Sequence, residues 1–136
     1  MRKPSLLIIP CLALLTLFSF SSQYYGIAKV EHVRSVYDGD TFRVDIAGWP
    51  PIVGDNMPIR IFGIDCPEMN SKDPDERYMA RKAREFTKNK LLSAEVVYLV
   101  NMQRGKYFRI VAIVLVDGKS LGDMLLEAGL AKPYGK

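Results

Sequence analysis

Val36-Tyr37-Asp38-Gly39-Asp40-Thr41-Phe42-Arg43-Val44-Asp45-Ile46 sets three turn-forming residues between two β-prone runs. Branched and aromatic side chains suit a pleated, half-buried surface, and Asp-Gly supplies the positive φ angles of a tight turn, so the stretch reads as a hairpin. Its arms are expected from Ile27 to Tyr37 and from Thr41 to Ile46. Downstream, Ala47 to Asn56 contains Gly48, Trp49, Pro50, Pro51 and Gly54, which cannot continue a central strand and predict an extended loop. A third strand is expected at Met57 to Ile64.

Pro74 then opens a helical pattern. Met79, Ala83 and Phe86 share one face, and Arg77, Arg81, Arg84 and Lys88 the other, so the apolar side should cover the sheet. Glu95 to Asn101 and Phe108 to Val116 read as two further strands around the turn Gln103-Arg104-Gly105-Lys106, and Asp117-Gly118 closes the second. A short helix, Ser120 to Ala128, ends at Gly129. The expected class is α+β, mainly β. A five-stranded barrel with a helix after the third strand and a short C-terminal helix has the order of an OB-fold.

The chain of 136 residues carries 19 Lys and Arg against 15 Asp and Glu. Arg2 and Lys3 precede a nearly uncharged run from Leu6 to Phe20, which has the layout of a secretory signal peptide. The run is shorter than the roughly 20 residues of a spanning helix and contains Pro10, so cleavage is expected over retention as an anchor. Ser19 and Ser21 suit a cut before Ser22, giving a leader at 1–21 and one domain at 22–136. Removing the leader halves the net positive charge, so any pull on polyanions must be local. Export and cleavage predict a secreted or envelope protein without stable membrane association. They leave Cys66 as the domain's one cysteine, with no internal disulfide to form.

The chemistry-bearing residues cluster in three segments: Asp38-Gly39-Asp40-Thr41, Arg60 to Glu68, and Lys106-Tyr107-Phe108-Arg109. Hard cations take oxygen ligands and guanidinium groups clamp phosphate oxygens, so this inventory suits a metal-assisted phosphodiesterase. In these segments the chain resembles the thermonuclease family, typified by secreted staphylococcal nuclease, from about Val36 to Lys132. Cys66 stands where that family usually has threonine, and Phe108 where it has glycine. Asp117-Gly118-Lys119 and Gly129-Leu130-Ala131-Lys132 fit the closing segments in order.

The resemblance implies calcium held by Asp40, Asp65 and the main-chain carbonyl of Cys66. It also implies phosphate contacts from Arg60 and Arg109, Glu68 as catalytic base, and Lys106 and Tyr107 against the substrate. A carbonyl ligand survives the threonine-to-cysteine change. The activity implied is hydrolysis of DNA and RNA with little sequence preference, leaving 3′-phosphates, by a monomer; a non-catalytic OB-type nucleic-acid-binding module is the competing reading. Several residues also have plainer uses. Asp38 suits a turn-former, Glu68 a loop cap, and the arginine stripe a solvated helix face. Trp49 suits packing of its loop as well as stacking on a base, Lys106 and Tyr107 suit an ordinary turn, and His32 a structural place in the first strand.

Overall fold

A computed structural model describes residues 25–135. The expected leader at 1–21 and the cut before Ser22 lie outside the described residues. Strands β1 (Ile27–Val36) and β2 (Thr41–Ile46) form the expected hairpin, and a single helical turn, α1 (Pro51–Gly54), interrupts the loop that follows. Then come β3 (Met57–Ile61), the short β4 (Ile64–Asp65), helix α2 (Pro74–Ser93) and β5 (Val97–Arg104). A 3₁₀ turn (Lys106–Phe108) leads to β6 (Ile110–Val116), β7 (Lys119–Ser120), α3 (Leu121–Glu127) and β8 (Lys132–Pro133).

The third strand is shorter than Met57 to Ile64. Gly63 takes φ +78° and breaks the run after Ile61, so Ile64 and Asp65 restart as a separate strand that pairs antiparallel with β8. That break re-aims Asp65.

Antiparallel pairs β3–β2, β2–β1, β1–β5 and β5–β6 are closed by the parallel pair β3–β6, in which Arg60 lies opposite Val111. The result is a closed, mixed, five-stranded barrel of OB type. Irregular register at Val30/His32 and at Val33/Ser35 lets β1 coil far enough to pair with both β2 and β5. Phe42, Val44, Ile59, Leu99, Ala112 and Val114 alternate inward and are fully buried. Burying apolar area at ~25 cal/mol per Å² makes this interior the main source of stability.

Helix α2 begins with the Asp73 carboxylate accepting from the Asp75 amide, and Pro74 fills the first turn without wasting a donor. Its buried face is Ala80, Ala83, Thr87 and Leu91, and Met79 and Phe86 flank it half-buried. The small residues matter because the helix lies directly against the β1–β2 turn. Arg77 and Arg84 are not solely solvated: Arg77 donates to the carbonyls of Ser71 and Lys72, and Arg84 Nε to that of Val36. Arg81 and Lys88 remain exposed. Ser120 caps α3 by accepting from the Asp123 amide, and Gly129 ends it at φ +69°. No helix among the described residues is long and apolar enough to cross a membrane.

Candidate active site

The site starts at the β1–β2 turn. Tyr37 and Asp38 donate their amides to the Thr41 carbonyl, and the Asp40 amide donates to Asp38 Oδ1 at 3.2 Å. Gly39 is absent from the positive-φ residues, which corrects the expectation that glycine is there for a left-handed turn angle. Its role is close approach. A Cβ on Gly39 would sit 2.7 Å from both Ala83 Cβ and Cys66 Sγ. Thr87 Oγ1, fully buried, donates to the Gly39 carbonyl at 2.6 Å and ties the turn to α2.

This packing drives Asp40 inward, to 1% exposure. Its Oδ1 accepts from Thr41 Oγ1 at 2.9 Å and Arg60 Nη1 at 3.0 Å, and its Oδ2 accepts from the Cys66 amide at 2.8 Å. A carboxylate this deep must be compensated, and charge-assisted donors supply that. Arg60 Nη2 reaches Asp65 Oδ1 at 2.9 Å and the Ile64 carbonyl at 3.3 Å, so one guanidinium bridges the turn and β4. Burial pulls the Arg60 proton affinity down, but the charges of Asp40, Asp65 and Asp38 outweigh it and push it up.

Asp38 shows what the arginine leaves uncompensated: burial first, and then the Asp40 charge beside it, push its carboxyl up to about 6. On the other side, Lys132 Nζ stands 3.9 Å from Asp65 Oδ2 because β4 pairs Asp65 with Lys132. The same pairing brings the Tyr134 ring to 5.9 Å from the Arg60 guanidinium carbon.

Asp38, Asp40, Arg60, Asp65, Cys66 and Glu68 line one cleft of about 260 Å³ with Tyr37, Met69 and Asn70. The structure therefore gathers five of the residues singled out in the sequence: Asp40, Arg60, Asp65, Cys66 and Glu68. Glu68 is exposed, and its amide donates to Glu76 Oε1 at 3.4 Å. Ser71 Oγ donates to the other oxygen of Glu76, so that carboxylate holds the loop between β4 and α2. Glu76, Thr87 and the hydrogen bond that Asn70 Nδ2 donates to the Tyr37 hydroxyl leave no mark in the sequence, since helix position and loop path decide their contacts.

Arg109, Lys106 and Tyr107 do not line that cleft. Tyr107 and Phe108 both take φ +57°, and the Gly105 amide closes on the Arg109 carbonyl at 2.6 Å. Arg109 lines a separate, largely apolar cavity with Tyr25, Trp49, Val53 and Met57, and its Nε is buried without a hydrogen-bond partner among the described residues. Tyr107 is 91% exposed. Trp49 packs half-buried against the core, which is the packing use of its loop. His32 stands outside the cleft, 3.6 Å from Asp45, a buried carboxylate also bonded to Arg34.

Two carboxylates and a main-chain carbonyl are all hard oxygen donors, and the cleft is lined by four carboxylates, Asp38, Asp40, Asp65 and Glu68, against one arginine, Arg60. No three His, Cys, Asp or Glu side chains converge as a metal cage among the described residues. These oxygen donors are of the chemistry that a hard divalent cation takes.

A closed, mixed, five-stranded barrel with a helix between its third and fourth barrel strands places the chain among OB-fold proteins. The chain is a member of the staphylococcal nuclease homologue family, whose model matches residues 58–136. That span includes Arg60, Asp65, Cys66, Glu68 and Arg109; Asp40 precedes it. A protein of Pyricularia oryzae named "Probable endonuclease LCL3" is 30% identical over 122 residues, covering 75% of this chain and 47% of the relative. Its namesake from Podospora anserina is 32% identical over 124 residues, covering 75% of this chain and 44% of the relative. The chain spans just under half the length of these relatives.

Proposed function

We propose that the chain is an exported, calcium-dependent nuclease that hydrolyses phosphodiester bonds of DNA and RNA with little sequence preference and leaves 3′-phosphates. The observation that carries this is the Arg60 bridge between Asp40 and Asp65 in a cleft that also holds the exposed carboxylate of Glu68. Family membership and the endonuclease names of both relatives support it. The basic residues and apolar run of the leader support export.

Asp40, Asp65 and the Cys66 carbonyl are the residues that would hold calcium, which when bound supplies Lewis-acid polarisation of a phosphoryl oxygen. Arg60 spends three hydrogen bonds on Asp40, Asp65 and Ile64. A guanidinium has five N–H groups, so donors remain for phosphate oxygens whose charge grows in the transition state. Glu68, exposed at the cleft rim, takes the proton of the water that attacks phosphorus, and the 5′ oxygen leaves. Family resemblance assigns Arg109 a second phosphate contact and Lys106 and Tyr107 to the substrate. Arg109→Lys tests the first of these, since Arg60 is the one arginine lining the cleft.

The test is release of acid-soluble nucleotides from single-stranded DNA, with calcium and then with chelator, by the wild type and Glu68→Gln. Calcium-dependent release that falls by roughly two orders of magnitude in the variant is expected. The withdrawal of Arg109 into another cavity favours the second reading, a non-catalytic binding module. DNA binding without release would establish that reading instead.

A further inference from the structure

We propose that the cleft beside the candidate active site, between Tyr37 and Arg43, is a subsite for the stretch of a single-stranded polynucleotide that lies beyond the two nucleotides joined by the scissile phosphate. This rests on the nuclease reading and adds where the chain of nucleotides runs.

Two hollows adjoin the carboxylate cleft. One shares Asp65, Cys66 and Glu68 with it and adds a further carboxylate, Glu76, with Lys132 as its lone cation. The other, of about 540 Å³, shares Tyr37, Met69 and Asn70 and adds Thr41, Arg43 and Arg84 with no acidic lining residue. A polyanion leaving the centre is repelled by the first and drawn into the second.

The second hollow is also shaped for a base. Tyr37 is 58% exposed, yet its hydroxyl accepts from Asn70 Nδ2 at 3.0 Å, so the ring is held at the boundary of the two clefts and shows a face to solvent. A ring fixed in advance stacks on a base with little further ordering cost, and stacking tolerates any base. Arg84 is fixed by its Nε bond to the Val36 carbonyl, and Arg43 by its Nη1 bond to the Asn56 carbonyl at 2.9 Å; the remaining N–H groups of both carry no hydrogen bond among the described residues. Thr41 connects the subsites, lining this cleft while its hydroxyl donates to Asp40.

The test is fluorescence-anisotropy binding of labelled oligothymidylates of two and six nucleotides to the full chain in chelator, so that no cleavage intervenes. Tyr37→Ala should weaken hexamer binding about tenfold, and Tyr37→Phe, which keeps the stacking face but loses the Asn70 anchor, by clearly less. Arg43→Ala should lower the slope of log K against log salt for the hexamer by about 0.7, the loss of one single-strand phosphate contact. Dimer affinity should change less than twofold in each. Hexamer affinity within twofold of wild type in the Tyr37→Ala/Arg43→Ala double variant, or equal loss for dimer and hexamer, would overturn the subsite. Absence of cleavage when calcium is restored, with this length dependence intact, would instead count against the nuclease reading alone.

Discussion

Arg60 is held by two carboxylates from different elements, and a planar fork is what allows it to serve both. Lysine offers one point charge and cannot span Asp40 and Asp65 together. Arg60→Lys should therefore lower kcat/KM on single-stranded DNA by roughly a hundredfold or more. Turnover within a few-fold of wild type would remove Arg60 from the chemistry. Cys66 gives a second prediction at this scale: burial, then the charge of Asp40, pushes its thiol well above the ordinary range, so little thiolate forms. In a Cys11→Ser chain at pH 8, iodoacetamide should label Cys66 at least roughly a hundredfold more slowly in the folded protein than in denaturant. Rapid labelling of the folded chain would show that the β1–β2 turn opens. Asp40, Asp65 and Arg60 were legible in the sequence through the family resemblance, but the pairing of Arg60 with both carboxylates was not, because it depends on the turn packing that buries Asp40. The withdrawal of Arg109 was not, since it follows from left-handed backbone at Tyr107 and Phe108, two residues that rarely choose it.

The β1–β2 turn and α2 act as one unit, because Gly39 has no room for a side chain and Thr87 bonds its carbonyl. Gly39→Ala should cost roughly 1–3 kcal/mol in denaturant unfolding by overpacking against Ala83 and Cys66, without any φ penalty. Thr87→Val keeps the volume but strands the Gly39 carbonyl, and should cost a similar roughly 1–3 kcal/mol. If either variant unfolds at the wild-type midpoint, the turn is not held by the helix. Strand and helix identities were readable from alternation and capping: β1, β2 and α3 fall within a residue or two of their expected bounds, and α2 starts at the expected Pro74. Two boundaries were not. Gly63 splits the third strand, and β5 runs on to Arg104 through Asn101 at φ +51°, past the end expected there. Both depend on partners distant in sequence, β8 and β6. Local pattern carries no information about them.

At the scale of the molecule, the site exists only when the barrel is closed. Asp38 and Asp40 come from the β1–β2 turn, Arg60 from β3, and Asp65 from a two-residue strand whose partner, β8, lies near the other end of the described chain. The order of strands could be read from the sequence, but the parallel β3–β6 pair that closes the barrel joins segments about 50 residues apart and leaves no local mark. It is this closure that gathers the carboxylates, and burial first and then the Asp40 charge raise Asp38, which opposes folding. A divalent cation would relieve that repulsion, and it would do so in the folded state alone, because the unfolded chain does not hold the ligands together. Calcium should therefore stabilise the protein by mass action, by about 2.7 kcal/mol at a hundredfold excess over its Kd. Thermal unfolding of the full chain should shift upward with calcium and return with chelator. Asp40→Asn should abolish the shift and start from a lower midpoint, since its one amide oxygen can accept from Thr41 and Arg60 but its nitrogen would then face the Cys66 amide. A midpoint indifferent to calcium in the wild type would mean that the cleft holds its carboxylates for Arg60 alone.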